Sequence, residues 1–248
     1  MSCSYIKGNK MQRQQEKEWF ERVKKLAKDK NDTRLLSFLN KATANPESSL
    51  FSDFLFDGGF IEHFQVSAAN ENKKGSKHNI AVNDFERESR ATFKQEKIEF
   101  LQSPPRKNPV IGTYDLKVVT HEMACPEYSY ESFVKSFKRN FEKHIKSLQN
   151  YTGVKSIGIF LIELVGANIT IMRNNCFIAF YRLAFDRKLL TYINQYADYL
   201  KFIIFASADS YELLELKEIP KLLNTIPQGI TFGVGRYINQ ELRLFIDI

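Results

Sequence analysis

The residue types able to do chemistry concentrate in Leu50-Phe-Ser-Asp-Phe-Leu-Phe-Asp-Gly-Gly-Phe-Ile-Glu-His-Phe-Gln-Val66, which holds Asp53, Glu62, His63 and Gln65. Carboxylate oxygens suit a hard divalent cation such as magnesium, or manganese as its substitute. One or two carboxylates hold such an ion and water completes its shell. A cation bound this way activates water for attack on a phosphodiester. Which groups meet depends on register. Two runs rich in Phe and β-branched residues flank Asp57-Gly58-Gly59, a strong hairpin signal. A two- or four-residue connection sets Asp53 opposite Glu62, so that both share a face with Phe64 and Val66. A three-residue connection with a bulge sets Asp53 opposite His63, and the shared face becomes Asp53, His63 and Gln65. The plain alternative is a structural hairpin in which Asp53 caps a turn and Glu62 and His63 face solvent.

Several elements must position these groups. Residues 14–28 form a helix whose Trp19, Phe20, Val23, Leu26 and Ala27 follow helical spacing. Glu16, three residues before Trp19, projects from its buried side. A second helical piece, capped by Asp32, carries Leu35, Leu36, Phe38 and Leu39 and ends before Asn45-Pro46. Residues 130–151 make an amphipathic helix with Phe133, Phe137, Phe141, Ile145 and Leu148 on one stripe. Lys135, Lys138, Arg139, Lys143 and Lys146 lie on its other face. Of these, Lys138, Arg139 and Lys143 could approach a phosphate backbone; a merely solvated face is the competing reading. Residues 157–164 read as a buried strand. It contains Glu163, whose burial requires a Lys or Arg partner or a place at the strand end near the site.

The last third continues with strands at 169–172 and 177–183, a helix at 186–199 and a strand at 202–206. Residues 212–216 lead into a short helix at 219–224, and a strand pair at 229–233 and 242–248 closes the chain. Residues 67–130 stand apart as an insertion, with a polar loop at 70–77, a charged helix at 84–101 and a strand or hairpin at 110–120. His121 and His144 read as surface residues. The sum is a single α/β domain with a mixed central sheet flanked by helices.

Composition narrows the function classes. The 248 residues include 36 Lys+Arg against 29 Asp+Glu, a formal charge of +7, which is a mild hint of a polyanionic partner. The cysteines (Cys3, Cys125, Cys176) are too scattered for a disulfide framework or a cysteine zinc site. Gly233-Val-Gly235-Arg236 lacks the order of a phosphate loop. The longest apolar run, 157–172, is interrupted by Glu163 and Asn168 and is too short to span a bilayer. With no apolar leader at the start, the expectation is a cytoplasmic protein without a membrane partner.

A helix with an inward Glu16, a hairpin with Asp53 on its first strand and Glu62-His63-Phe64-Gln65 on its second, a basic helix and a buried strand follow in that order. This order resembles the core of the PD-(D/E)xK nuclease superfamily, the restriction endonuclease-like proteins, over about residues 14–66 and 130–165. The resemblance implies a magnesium-dependent endonuclease acting on nucleic acid, DNA first, in a restriction or other defence system, and working as a homodimer. Asp53 and Glu62 (or His63) would hold the metal, Gln65 would orient water or phosphate, and Glu16 would support a water or second ion. The superfamily's acidic-x-Lys pair is degenerate here: two residues after Glu62 stands Phe64, and His63-x-Gln65 lacks the carboxylate. A non-catalytic module that keeps the fold to bind nucleic acid or protein is therefore the second expectation.

Overall fold

The computed structural model describes residues 3–46, 51–69, 76–102, 121–123, 127–174 and 176–238. Helix α1 (Cys3–Asp29) buries Phe20, Val23 and Ala27, and α2 (Thr33–Leu39) buries Leu35 and Leu39. Asp32 starts α2 by accepting from the Leu35 N–H at 2.9 Å. Three antiparallel strands follow, β1 (Thr43–Ala44), β2 (Phe54–Phe56) and β3 (Gly59–Ser67). Gly58 takes a left-handed φ of 83° in the tight turn between β2 and β3. At Gly59 a Cβ would stand 2.1 Å from the Ile157 carbonyl oxygen, so only glycine lets β3 approach its neighbour.

Helix α3 (Ser76–Gln102) and strand β4 (His121–Met123) precede α4 (Tyr130–Asn150). Strands β5 (Ile157–Val165), β6 (Asn168–Arg173) and β7 (Cys176–Phe180) follow, then α5 (Arg187–Asn194), β8 (Phe202–Ala206), β9 (Tyr211–Glu215), α6 (Ile219–Thr225) and β10 (Ile230–Ile238). The main sheet has the order β1-β2-β3-β5-β8-β9. Its β3–β5 and β5–β8 pairs are parallel and the others antiparallel. A smaller antiparallel sheet has the order β4-β10-β6-β7.

Both faces of the main sheet are covered. On one, α1 and α2 pack against Phe54, Ile61, Ile159, Leu161, Phe202 and Ile204. On the other, the Phe133-Phe137-Phe141-Ile145-Leu148 stripe of α4 and Leu189, Leu190 and Ile193 of α5 pack against Phe60, Phe64, Phe160, Ile162 and Ile203. Double coverage is why β5 reads as a continuous apolar run. The chain is thus an α/β protein with a mixed sheet between helical layers.

Several boundaries depart from the sequence expectation: β7 ends at Phe180 and not at residue 183, and β10 runs on to Ile238 and not to residue 233. Helix α1 begins at Cys3 and not at residue 14, because a stripe read from Trp19 to Ala27 marks one face of a helix and not where its backbone starts. Helix α3 begins at Ser76, inside the expected polar loop. Helix α5 stops at Asn194, and residues 195–199 continue as turns. Within the expected insertion, β4 pairs with β10, which ties that segment to the C-terminal third. The strands expected at 110–120 and 242–248, and the loop at 70–75, lie outside the described residues. Among the described residues no helix is long and apolar enough to cross a membrane.

Candidate functional site

The hairpin pairs Phe54 with Ile61 and Phe56 with Gly59, so its connection is the two-residue Asp57-Gly58 and Asp53 comes level with Glu62. Regular pairing stops there. Ser52 is buried with a left-handed φ of 79°, a conformation that costs a non-glycine residue energy and bends the chain away from β3. The Asp53 N–H still donates to the Ile61 carbonyl at 3.2 Å, and the Asp53 carbonyl accepts from Asn45 N–H at 2.8 Å. The next backbone donor of β3, His63 N–H, finds no strand carbonyl and donates instead to Asp53 Oδ2 at 2.7 Å. The Asp53 carboxylate therefore lies at a fork in the sheet, where β2 begins and β3 runs on unpaired on that side. Its Oδ1 has no hydrogen-bond partner among the described residues.

Successive strand residues point to opposite faces, so Glu62 and His63 part company. Glu62 lies on the α4 side: His144 Nδ1 is 2.7 Å from its Oε1, and Ser52 N–H donates to its Oε2 at 3.0 Å. The His144 ring stacks on Phe64 at 4.4 Å. His63 lies on the α1 side, its Nε2 at 3.0 Å from Glu163 Oε2, and Gln65 Nε2 donates to the same oxygen at 3.2 Å. The two-residue connection brings Asp53 level with Glu62, near enough that the Glu62 charge acts on it, while the Asp53 carboxylate also accepts the His63 N–H.

Of the two alternatives for Glu163, the place near the strand end beside the candidate site holds: it pairs with His63 and Gln65, not with Lys or Arg. One further expectation needs correction. His144 is not a surface residue; it stands three residues after Phe141, at the border of the buried stripe, and is drawn in by Glu62 and Phe64.

Electrostatics register the crowding. Burial first, then the nearby Glu62 and Glu16 carboxylates, raise the Asp53 carboxyl from 3.8 to about 7 against the pull of the His63 N–H and ring. Burial raises Glu62 from 4.5 to about 8; Ser52 N–H, His63 and Lys143 oppose that rise and Glu16 adds to it. Burial, Lys143 and His63 lower His144 from 6.5 to about 4. Both shifts run toward the neutral forms, and both begin with burial. Fields from both faces of the sheet, Glu62 on one and Glu16 on the other, thus reach the fork.

One cavity opens on the α1 side. A cavity of about 310 Å³ is lined by Gln15, Glu18, Trp19, Arg22 and Gln65, while His63 and Glu163 beneath it are sealed, their side chains 4% and 2% exposed. A larger cavity of about 730 Å³ lies beyond the carboxyl ends of β5 and β8, lined in part by Lys30, Tyr181, Arg182, Ser207, Tyr211 and Glu212. On α4, Arg139 and Lys143 are exposed, whereas Lys138 Nζ lies 4.6 Å from the Tyr192 ring centre.

Sequence reasoning missed His144, Ser52 and Asn45. The only prior signals were the helical offset of His144 from Phe141 and the place of Ser52 beside Asp53. Among the described residues no group of three or more His, Cys, Asp or Glu side chains could by itself hold a metal ion. No protein-family model, curated protein or solved structure matches the chain.

Proposed function

We propose that the chain is a metal-dependent nuclease of the restriction endonuclease-like type that hydrolyses DNA phosphodiester bonds. One observation carries the reading: Asp53 stands at a strand fork with Oδ1 unengaged, crowded by Glu62 and Glu16. A divalent cation would relieve that repulsion. The order α1, antiparallel β1–β2–β3, α4 and parallel β5 supports it as well.

The donor set fits magnesium held by one or two carboxylates and water. Asp53 would be the principal ligand. Glu62 Oε2 accepts the Ser52 N–H and keeps a second lone pair, and Glu16 could support a coordinated water. When bound, the ion would supply Lewis acidity and an ionised water. Gln65 would orient water or phosphate, and Arg139 and Lys143 would meet the backbone, with Lys138 contributing less because it already faces Tyr192.

The test is cleavage of plasmid and oligonucleotide DNA with magnesium or manganese, wild type against Asp53→Ala. Loss of even an outer-shell partner costs metal sites about 10–100-fold, so removal of the ligand should cost about 100-fold or more. Intact DNA from the wild type over a range of metals and salts would refute catalysis on that substrate. The second reading, a non-catalytic nucleic-acid-binding module, is favoured by Phe64. Where the superfamily has its lysine, this ring is packed against His144 and Phe160. It predicts metal-independent binding that survives Asp53→Ala and weakens when Lys138, Arg139 and Lys143 are neutralised together.

A further inference from the structure

The cavity beside Gln65 has a chemistry of its own. Trp19 is half-buried, with its inner side on the core between α1 and the sheet, and the Arg22 guanidinium carbon sits 5.0 Å from its ring centre. Arg22 is exposed and makes no hydrogen bond or ion pair among the described residues, so its donors are open along the edge of the shelf. Gln15 and Gln65 bring amides, each able to donate and accept. Glu18 adds a carboxylate that so far takes a single donor, Gln14 Nε2 at 3.0 Å. At about 310 Å³ the space stands at the low end of small-molecule sites.

An aromatic–guanidinium shelf ringed by amides suits a flat, hydrogen-bonding ring whose attached group is anionic. That describes a nucleobase on its phosphate backbone, because stacking on aromatic and guanidinium planes is how unpaired bases are held. A short chain of contacts joins the shelf to the fork: Gln65 to Glu163 at 3.2 Å, Glu163 to His63 at 3.0 Å, and His63 N–H to Asp53 at 2.7 Å. We propose that the Trp19–Arg22 shelf binds an unpaired nucleobase, so that the strand presented to Asp53 is single-stranded DNA. The substrate assignment rests on the nuclease reading above; base binding itself does not.

Trp19 is the sole tryptophan of the chain, so its fluorescence reports on the shelf directly. The full chain, in EDTA to exclude cleavage, is titrated with a single-stranded deoxyoligonucleotide of about twelve nucleotides, within the usual site sizes, and with the matching blunt duplex. Saturable quenching by the single strand is expected, with the duplex at least about tenfold weaker, since stacking one base is worth about 1–3 kcal/mol. Arg22→Gln, on an exposed face, should weaken single-strand binding about fivefold or more. Trp19→Leu, followed by anisotropy of a labelled strand with circular dichroism as the folding control, should weaken it about tenfold. Absence of quenching, equal quenching by duplex, or unchanged affinity in Arg22→Gln overturns the proposal. Quenching without cleavage in the metal assay would leave the shelf standing and remove the nuclease; cleavage without quenching would do the reverse.

Discussion

If Asp53 is a crowded carboxylate awaiting a cation, neutralising it should stabilise the fold. The perturbation is Asp53→Asn, whose side-chain oxygen can still accept from the His63 N–H. In the folded chain the carboxyl is held near 7, against 3.8 when unperturbed. Between those values the native state keeps a proton that the unfolded chain has released. The stability contributed by Asp53 is therefore full below pH 3.8, falls as pH rises through the window and is lost above 7. Taken whole, the difference corresponds to about 4 kcal/mol. Solvent screening at a partly exposed group brings the expectation down to about 1–2 kcal/mol.

Glu62 acts in the same direction up to about pH 8, while His144, held near 4 and not 6.5, acts in the opposite direction between those two values. Both contributions largely cancel in the comparison of variant with wild type. Urea unfolding at pH 5.0, 6.5 and 8.0 is the assay. At pH 8.0 Asp53→Asn should be more stable by about 1–2 kcal/mol, which for a chain of this size is about 2–8 °C in Tm. The gap should shrink toward pH 5.0, and magnesium at pH 8.0 should narrow it by stabilising the wild type alone. A variant less stable than wild type at pH 8.0, with the same dependence on pH, would refute the reasoning. It would mean that the carboxylate is an ordinary satisfied cap.

Two predictions concern the frame. Asp186 is fully buried; it caps α5 through Leu189 N–H and accepts both the Tyr130 and Tyr181 hydroxyls at 2.7 Å. Asp186→Ala removes a cap worth about 1 kcal/mol and orphans the buried Tyr181 hydroxyl at about 1 kcal/mol or more, with a smaller cost at the half-buried Tyr130, so unfolding free energy should fall by about 2–3 kcal/mol; a loss below about 1 kcal/mol would show that the network relaxes. Ser52→Gly should stabilise by about 1 kcal/mol, because it relieves the left-handed strain and removes a buried hydroxyl without a partner. A destabilised Ser52→Gly in thermal unfolding would mean that the bend before Asp53 is held by the serine side chain after all.

The elements and their apolar faces were legible in the residues alone. The Phe stripe of residues 133–148, the buried run 157–164 and a hairpin turn at Asp57-Gly58-Gly59 follow from spacing between near neighbours, and the structure has each of them, whereas the two-residue length of that turn came only from the strand pairing. Such patterns are local, so they survive in a single chain read end to end. The partners come from long-range packing alone. His63 and Glu163 are 100 residues apart and Glu62 and His144 are 82 apart, and no periodicity connects them. The fork at Asp53 was hidden for a related reason: register says which residues come level, but not that Ser52 takes a left-handed φ beside it or that a backbone N–H of the neighbouring strand takes the carboxylate. Where local pattern and long-range hydrogen bonding compete for one group, the buried donor decides, because leaving it unpaired costs more than bending the strand beside it.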